Sequence, residues 1–383
     1  MKVVFTGSGT GGHFYPNIAV AESMRAIARE RRLLMPRLYY LAPSAFDQEA
    51  LFENEIIFIR CPAGKWRRYF SFQNFTDLFV TGLGFISAIF SLFRIYPDVV
   101  FSKGGYASVP VVLAARMLGI PVMIHESDAK PGRANIMASG FAMRIAVAFD
   151  SASAYFPKKT RSKIARTGIP IRSGLTRPEP EGAREELKLD MSVPTILILG
   201  GSSGAQRLND IVLGALPELI EEANVIHQTG KDNFQGVEAL ARLVLEKGGN
   251  AARYHPFPFL SVLSLRRGAG AADLVISRAG STTVAEIALW KKPAILVPIP
   301  ESVSHDQRAN AYAYANTGAA IVIEEANLTA HVLASEVKRL LGDATLRKTM
   351  GEQSSTFANA NAANIIAEEI IAIGLSHEPI IPS

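Results

Sequence analysis

The sequence predicts an α/β protein of two similar domains, each a parallel sheet whose strands are joined by crossover helices. Three observations predict it. Short apolar runs alternate with helical patterns along most of the 383 residues, the signature of parallel strands and crossovers. Two of those runs each lead into a glycine-rich turn and then a helical pattern. They are Val3–Phe5 into Gly7-Ser8-Gly9-Thr10-Gly11-Gly12-His13, and Thr195–Leu199 into Gly200-Gly201-Ser202-Ser203-Gly204. Between them, Thr167 to Pro194 breaks the rhythm with Pro170, Pro178, Pro180 and Pro194. Two strand–turn–helix units in one chain suggest two domains facing one ligand.

Taken in order, Val3–Phe5 reads as a strand and Pro16 to Arg32 as a helix. Leu38–Ala42 and Ile56–Arg60 read as strands, then a helix near 76–95, the strand Val99–Phe101, a glycine turn at Lys103-Gly104-Gly105-Tyr106, a helix near 109–118 and the strand Pro121–His125. Leu78 to Phe93 carries no charge over sixteen residues but is interrupted by Gly82 and Gly84. A spanning helix needs roughly 20 apolar residues, so this one reads as buried or interfacial. The boundary falls near Gly168–Arg172, giving domains 1–167 and 168–358. The second series has strands near 195–199, 224–227, 274–276 and 294–297. The tail, 359–383, contains a helix with Ile365, Ile366, Ile370, Ile371 and Ile373, placed to cross back onto the first domain.

Apolar residues make up 48% of the chain and charged residues 20%, a globular balance. The single cysteine, Cys61, excludes a disulfide framework and a cysteine-based zinc site, which fits a reducing cytoplasm. Lys2 is followed by only three apolar residues before the glycines, so no secretory signal is expected. The net charge of +5 suits nucleic acid, anionic lipid or nucleotide phosphates. Basic residues cluster at 65–68 and 157–163, which also read as solvated surface.

Gly7, Gly9 and Gly12 match the dinucleotide fingerprint. That fingerprint needs a ribose-binding acid at the end of the second strand, and here the strand ends Leu41-Ala42-Pro43-Ser44. His13 follows the glycines near a helix start, where the dipole keeps an imidazole neutral and able to take a proton; alternatively it only hydrogen-bonds the loop. The second glycine turn opens a helix whose N–H groups suit phosphate oxygens, or is simply a tight turn. It lacks the Gly-Lys-Ser/Thr of a P-loop. Ser281, Thr282 and Thr283 open another helix and can cap it while binding a ligand. Glu286, one turn on, suits the two hydroxyls of a ribose, or is a surface glutamate. Gln307 follows the strand at 294–297, and its amide suits sugar hydroxyls. His305 and Asp306 lack a third metal ligand nearby. His125, Glu126 and Asp128 follow a strand, and Arg172 lies just beyond the presumed hinge.

These segments resemble one family. Thr10-Gly11-Gly12-His13 with Pro16, Gly104-Gly105-Tyr106, His125-Glu126, Gly200-Gly201-Ser202 with Gly204-Ala205, and Thr283-Val284-Ala285-Glu286 occur in the order seen in the MurG family. Its members are the UDP-N-acetylglucosamine–N-acetylmuramyl-(pentapeptide) pyrophosphoryl-undecaprenol N-acetylglucosamine transferases of glycosyltransferase family 28. The resemblance runs nearly the whole length. It implies the GT-B fold, two Rossmann-like domains facing a cleft. It implies that Ser202 contacts the donor diphosphate, Glu286 the ribose, and Leu260 the uracil through its backbone. Arg172, Gln307, Ser281, Thr282, Thr283 and Asp128 join the donor set. Thr10, Gly11 and Gly12 border the transferred sugar, and His13 is the candidate base. Gly104, Gly105, Tyr106, His125 and Glu126 lie on the acceptor side.

The chain departs from the family in three places. Glu126-Ser127-Asp128 replaces Glu-Gln-Asn, so Asp128 as a carboxylate only accepts. Asp306-Gln307 replaces paired glutamines. Extra residues lie between Leu260 and Ala272.

The implied reaction is an inverting transfer of N-acetylglucosamine onto the muramyl C4 hydroxyl of a lipid-linked pentapeptide, forming lipid II. No metal or other cofactor is expected, because a helix N-terminus can substitute for a cation at the leaving diphosphate. The expected partners are UDP-N-acetylglucosamine, the undecaprenyl-linked acceptor and an anionic membrane surface, with no nucleic acid. The expected location is the cytoplasmic face of the bacterial membrane, peripherally bound. Lys65, Arg67 and Arg68 with Phe72, Phe75 and Phe79 form the expected membrane patch; the competing reading makes Phe79, Ile86 and Phe90 core. A sugar-nucleotide epimerase and a non-catalytic nucleotide-sugar binder are the rival functions.

Overall fold

A computed structural model of the chain describes residues 1–65, 72–201, 205–246, 250–301 and 307–376, without the side chains of 72–74. The chain divides into two compact units, Met1–Ser173 with the chain from Asn359 onward, and Gly174–Ala358.

The first unit contains β1 (Lys2–Thr6), α1 (Gly11–Glu30), β2 (Arg37–Ala42), α2 (Gln48–Glu53), β3 (Ile56–Arg60), α3 (Phe72–Ile95), β4 (Val99–Ser102), α4 (Val109–Met117), β5 (Val122–Glu126), α5 (Arg133–Ser139), β6 (Arg144–Val147) and β7 (Ile164–Arg166). Its sheet is parallel throughout, in the order β3-β2-β1-β4-β5-β6-β7. The second unit contains α6 (Ala183–Glu186), β8 (Thr195–Leu199), α7 (Gln206–Glu222), β9 (Asn224–Gln228), α8 (Phe234–Leu245), β10 (Tyr254–Phe257), α9 (Val262–Ala271), β11 (Leu274–Ser277), α10 (Ser281–Trp290), β12 (Ala294–Leu296), α11 (Gln307–Ala315), β13 (Ala320–Val322), α12 (Ala330–Gly342) and α13 (Ala344–Ser354). Its parallel sheet runs β10-β9-β8-β11-β12-β13. Both sheets therefore start in the middle, build outward, and reverse direction once, the Rossmann arrangement.

The central strands are apolar apart from their end residues, because helices cover both faces. Val3, Phe5, Val99 and Phe101 form the first core with Phe14 and Ile18 of α1. Ile196, Ile198, Leu274 and Ile276 form the second with Leu208, Val212 and Leu216 of α7. The last helix, α14 (Ala362–Leu375), belongs to the first unit. Its Ile366, Ile370, Ile371 and Ile373 join the first core, each burial stabilising by about 1.5–3 kcal/mol. Glu368 and Glu369 on its outer face pair with Arg31 and Arg144.

One expectation needs correction. Helix α1 starts at Gly11 rather than Pro16, so His13 is its third residue and Pro16 lies inside it. The Thr10 carbonyl accepts from both His13 and Phe14 N–H at 3.0 Å and starts the helix before the proline. The four glycines before His13 do not take left-handed backbone angles, whereas Gly104, Gly105 and Gly201 do. What Gly7 provides is closeness, since a β-carbon there would lie 3.2 Å from the His13 carbonyl. The first unit runs to Ser173, one residue past the region Gly168–Arg172 where the boundary was expected. Side chains hold that stretch: His125 Nε2 donates to the Gly168 carbonyl at 2.8 Å. The N–H and hydroxyl of Ser173 both donate to the Glu22 carboxylate at 2.9 Å.

Helix α3 is apolar and long enough to cross a membrane by length and composition. Its inner face is held against the segment after β3. Gly64 N–H donates to Thr81 Oγ1 at 3.1 Å, and Gly84 is required because a β-carbon there would collide with the Pro62 carbonyl. Its outer face carries Phe79, Ile86 and Phe90 at 63%, 52% and 70% exposure, which rules out the core reading of those three.

Candidate functional site

In the first unit, register brings two loops together. Thr6 pairs with Ser102 across β1 and β4, and Lys103 N–H continues the ladder to the Thr6 carbonyl at 2.9 Å. The glycine loop before α1 and the turn after β4 thus leave the sheet side by side where strand order reverses. In open α/β sheets this is the place for a ligand.

His13 is half-buried, and its Nδ1 lies 3.1 Å from the Lys103 carbonyl. A carbonyl only accepts, so Nδ1 carries the proton and Nε2 is the basic atom. Burial, then the Lys103 charge, holds the ring below the usual histidine range, while Asp128 pulls the other way.

Lys103 is the residue that sequence reasoning missed. It is 1% exposed. Its ammonium meets His125 Nδ1 at 2.6 Å and the Ser127 hydroxyl. Burial lowers its pKa to about 8, against the pull of Glu126 and Asp128. The available signal was a cation directly before a glycine pair at the end of an apolar strand.

His125 and Glu126, expected to face the acceptor, point inward. Both ring nitrogens of His125 are occupied, by Lys103 and by the Gly168 carbonyl, and burial with the Lys103 charge keeps the ring neutral. Glu126 accepts from Asp128 N–H and Gly132 N–H at 3.0 Å and from the Asn135 amide at 2.9 Å. Burial and Asp128 raise its pKa to about 7. These two shape the loop between β5 and α5 rather than present themselves at its surface. Asp128 is half-buried in that loop and acts on His13, Lys103 and Glu126 through its charge.

Gly104 and Gly105 take φ values of +78° and +80°, and β-carbons there would lie 2.7 Å from the Asn135 amide and 2.6 Å from Ser8. Tyr106 follows them, half-buried, with burial and Asp77 of α3 raising its pKa. Lys65 lies 5.6 Å over its ring, so the glycine turn adjoins the base of α3. Thr10 and Gly12 are exposed and Gly11 is buried. Arg172 belongs to this unit rather than the second, its guanidinium stacked 3.8 Å from the centre of Tyr15.

The second unit repeats the layout with other chemistry. Leu199 pairs with Gln228 and Ser277, and Gly200 leaves the sheet beside Arg278. Ser202 lies outside the described residues, as do His305 and Asp306; Gly201 before it has φ +82°. Helix α10 is capped by Gly280, which offers no side-chain bond, contrary to the expected hydroxyl cap. Ser281 and Glu286 are buried, and Thr282 and Thr283 are half-buried. Gln307 opens α11, and its side chain accepts from Ile299 N–H at 3.3 Å. Leu260 N–H donates to Gln228 Oε1 at 3.1 Å, so of its backbone groups the carbonyl is the one to consider for a base. Gln228, at the end of β9, is a second residue missed from sequence.

In the α3 patch, Lys65 is exposed, Phe75 and Phe79 are exposed and stack edge to face at 5.1 Å, and Phe72 opens the helix. Arg67 and Arg68 lie outside the described residues.

Comparison with known proteins places this geometry. The glycosyltransferase family 28 N-terminal domain matches residues 3–147 and the C-terminal domain residues 195–368. The UDP-N-acetylglucosamine–N-acetylmuramyl-(pentapeptide) pyrophosphoryl-undecaprenol N-acetylglucosamine transferase of Treponema denticola is 36% identical over 391 residues, covering 96% of each chain. The protein of the same name from Halothermothrix orenii is 37% identical over 369 residues, covering 96% of this chain and 97% of its own. The crystal structure of Acinetobacter baumannii MurG matches with a TM-score of 0.71 at 28% identity, covering 97% of this chain and 99% of that one. Matched in both halves by the family's domains and nearly end to end by these relatives, the chain belongs to glycosyltransferase family 28.

Proposed function

We propose that this chain transfers N-acetylglucosamine from UDP-N-acetylglucosamine to the muramyl C4 hydroxyl of undecaprenyl-diphospho-N-acetylmuramoyl-pentapeptide, forming lipid II with inversion at the anomeric carbon. The observation that carries the reading is His13. Its Nδ1–H is tied to the Lys103 carbonyl, which leaves Nε2 basic at the point where the first sheet reverses. The acceptor hydroxyl oxygen attacks the anomeric carbon and its proton passes to Nε2. The bond from that carbon to the diphosphate oxygen breaks, and its electron pair leaves with UDP.

The second unit holds the donor. N–H groups at the start of α10 and in the turn after β8, with Ser202, meet the diphosphate. Glu286 holds the ribose, the Leu260 carbonyl faces the uracil, and Ser281, Thr282, Thr283 and Gln307 complete the pocket. Arg172, held flat on Tyr15, supplies positive charge for the donor. Such donors stabilise the departing oxygens without a metal, and no cofactor is invoked. Asp128, Thr10, Gly11 and Gly12 border the sugar, and Gly104, Gly105 and Tyr106 the acceptor.

The acceptor is a lipid, and α3 supplies the surface for it. Its outward Phe75, Phe79, Leu83, Phe90 and Phe93, with Lys65, Arg67 and Arg68 before them, fit shallow insertion into an anionic leaflet. We read the chain as peripheral at the cytoplasmic face of the bacterial membrane. Incubation of labelled UDP-N-acetylglucosamine with anionic vesicles, with and without the lipid acceptor, tests the whole reading. Lipid-extractable label that requires the acceptor, from protein that floats with the vesicles, supports it. Free labelled sugar released without acceptor, or binding without turnover, overturns it.

A further inference from the structure

We infer that Lys103 is a positioning residue that sets the state of both histidines of the first unit, His13 through its carbonyl and His125 through its ammonium. The inference rests on His13 serving as the base.

One residue makes both contacts. Its carbonyl accepts from His13 Nδ1 at 3.1 Å, and its ammonium donates to His125 Nδ1 at 2.6 Å and to the Ser127 hydroxyl. Because His125 Nδ1 accepts, its Nε2 must carry the proton, and that proton goes to the Gly168 carbonyl at 2.8 Å. Both tautomers are therefore fixed from the turn after β4. The contact at His13 is backbone and survives any substitution at 103. The charge does not.

Among the described residues, the charged and titratable groups acting on His13 are Lys103, from the exit of β4, and Asp128 and His125, from the exit of β5. Its own helix has no acid in the first turn. A buried ammonium opposes a second positive charge on either ring. Lys103 thus keeps His13 ready to accept a proton, and the carboxylates nearby keep Lys103 charged through the neutral range. A lysine that merely filled space would leave both rings indifferent to its charge.

The test follows the histidine side-chain nitrogens of the full chain by NMR across a pH titration, beside the pH profile of transfer. In the native sequence, His125 Nδ1 is expected to show an inflection near pH 8, where Lys103 gives up its proton. Lys103→Met is expected to remove that inflection and move the His13 midpoint to higher pH. The acid limb of kcat should move with it, while KM for UDP-N-acetylglucosamine stays within about twofold. Ser127→Ala, which keeps the charge, should leave the His13 midpoint in place. A native titration without the inflection, or an unmoved His13 midpoint in folded Lys103→Met, overturns the inference. The native inflection decides it even if Lys103→Met does not fold. A His13 midpoint that moves while the kcat limb stays put upholds the role of Lys103 and removes His13 as the base.

Discussion

Where the first sheet reverses, β4 delivers Lys103 next to the glycine loop; where the second reverses, β11 delivers Arg278 to the same place beside Gly200. Each cation's N–H continues the ladder to the last carbonyl of the neighbouring central strand, Thr6 at 2.9 Å and Leu199 at 3.4 Å. Both side chains are buried, at 1% and 7% exposure. Their partners differ. Arg278 meets a carboxylate directly, Glu325 at 2.5 Å, and the Val297 carbonyl at 3.2 Å. Lys103 meets a neutral ring and a hydroxyl, with its carboxylates further off. One charge is cancelled where it stands, and the other is left to act on two histidines. The scaffold position is common, and the chemistry is decided by what the next loop brings.

The largest expected effects separate the two units by which kinetic constant they move. His13→Ala should lower kcat by about 10²–10⁴-fold, the usual contribution of a general base, with little change in donor affinity. Glu286→Gln should instead raise KM for UDP-N-acetylglucosamine by roughly 10–100-fold, the loss of charged hydrogen bonds worth about 1.5–3 kcal/mol. Steady-state kinetics on both variants checks the pair. Equal effects of both on KM, with kcat preserved, would break the division into a chemistry-bearing unit and a donor-holding one.

The sequence made the interior of each unit legible and left its rims obscure. Central strands carry unbroken apolar runs, such as Val99–Phe101 and Leu274–Ile276, because both faces are covered. β6, β7, β10 and β13 were not anticipated. β7, β10 and β13 lie at sheet edges, and Ile164–Arg166 and Ala320–Val322 are only three residues long while Tyr254–Phe257 contains a proline. The site shows the same split. His13 and the glycine turns announce themselves by residue type. That Lys103 turns its charge inward, that His125 spends both ring nitrogens on neighbours, and that Arg172 lies on Tyr15 depend on contacts across 22 to 157 residues of chain. No local pattern records them.

The two cations offer the next test. Arg278→Met would leave Glu325 with a weakened partner set, Arg207 standing 3.6 Å away. Breaking a buried pair costs about 3–5 kcal/mol, and Glu325 is 14% exposed at its side chain. The unfolding midpoint in denaturant should fall accordingly, and the acid limb of the transfer profile should stay where it is. A shift of that limb like the one expected for Lys103→Met would mean that the second cation is not silenced by its partner, and the contrast between the units would fail.

The smallest effects come from two glycines with nearly the same backbone. Gly105 has φ +80° and Gly201 has φ +82°. An L-residue in that region is destabilised by about 1–2 kcal/mol. At Gly201 nothing among the described residues lies within 4 Å of the added β-carbon, so Gly201→Ala should show that strain alone, about 1 kcal/mol. At Gly105 the β-carbon would stand 2.6 Å from Ser8, on the loop that leads to His13. Gly105→Ala should therefore lose about 2–3 kcal/mol and push that loop away from Lys103. Denaturant titration of each variant reads the stability. Kinetics reads the rest: Gly105→Ala should lower kcat beyond what its stability loss explains, because the His13–Lys103 bond depends on that approach. Equal losses at the two positions would show that the backbone angle matters and the close packing of the first loop does not.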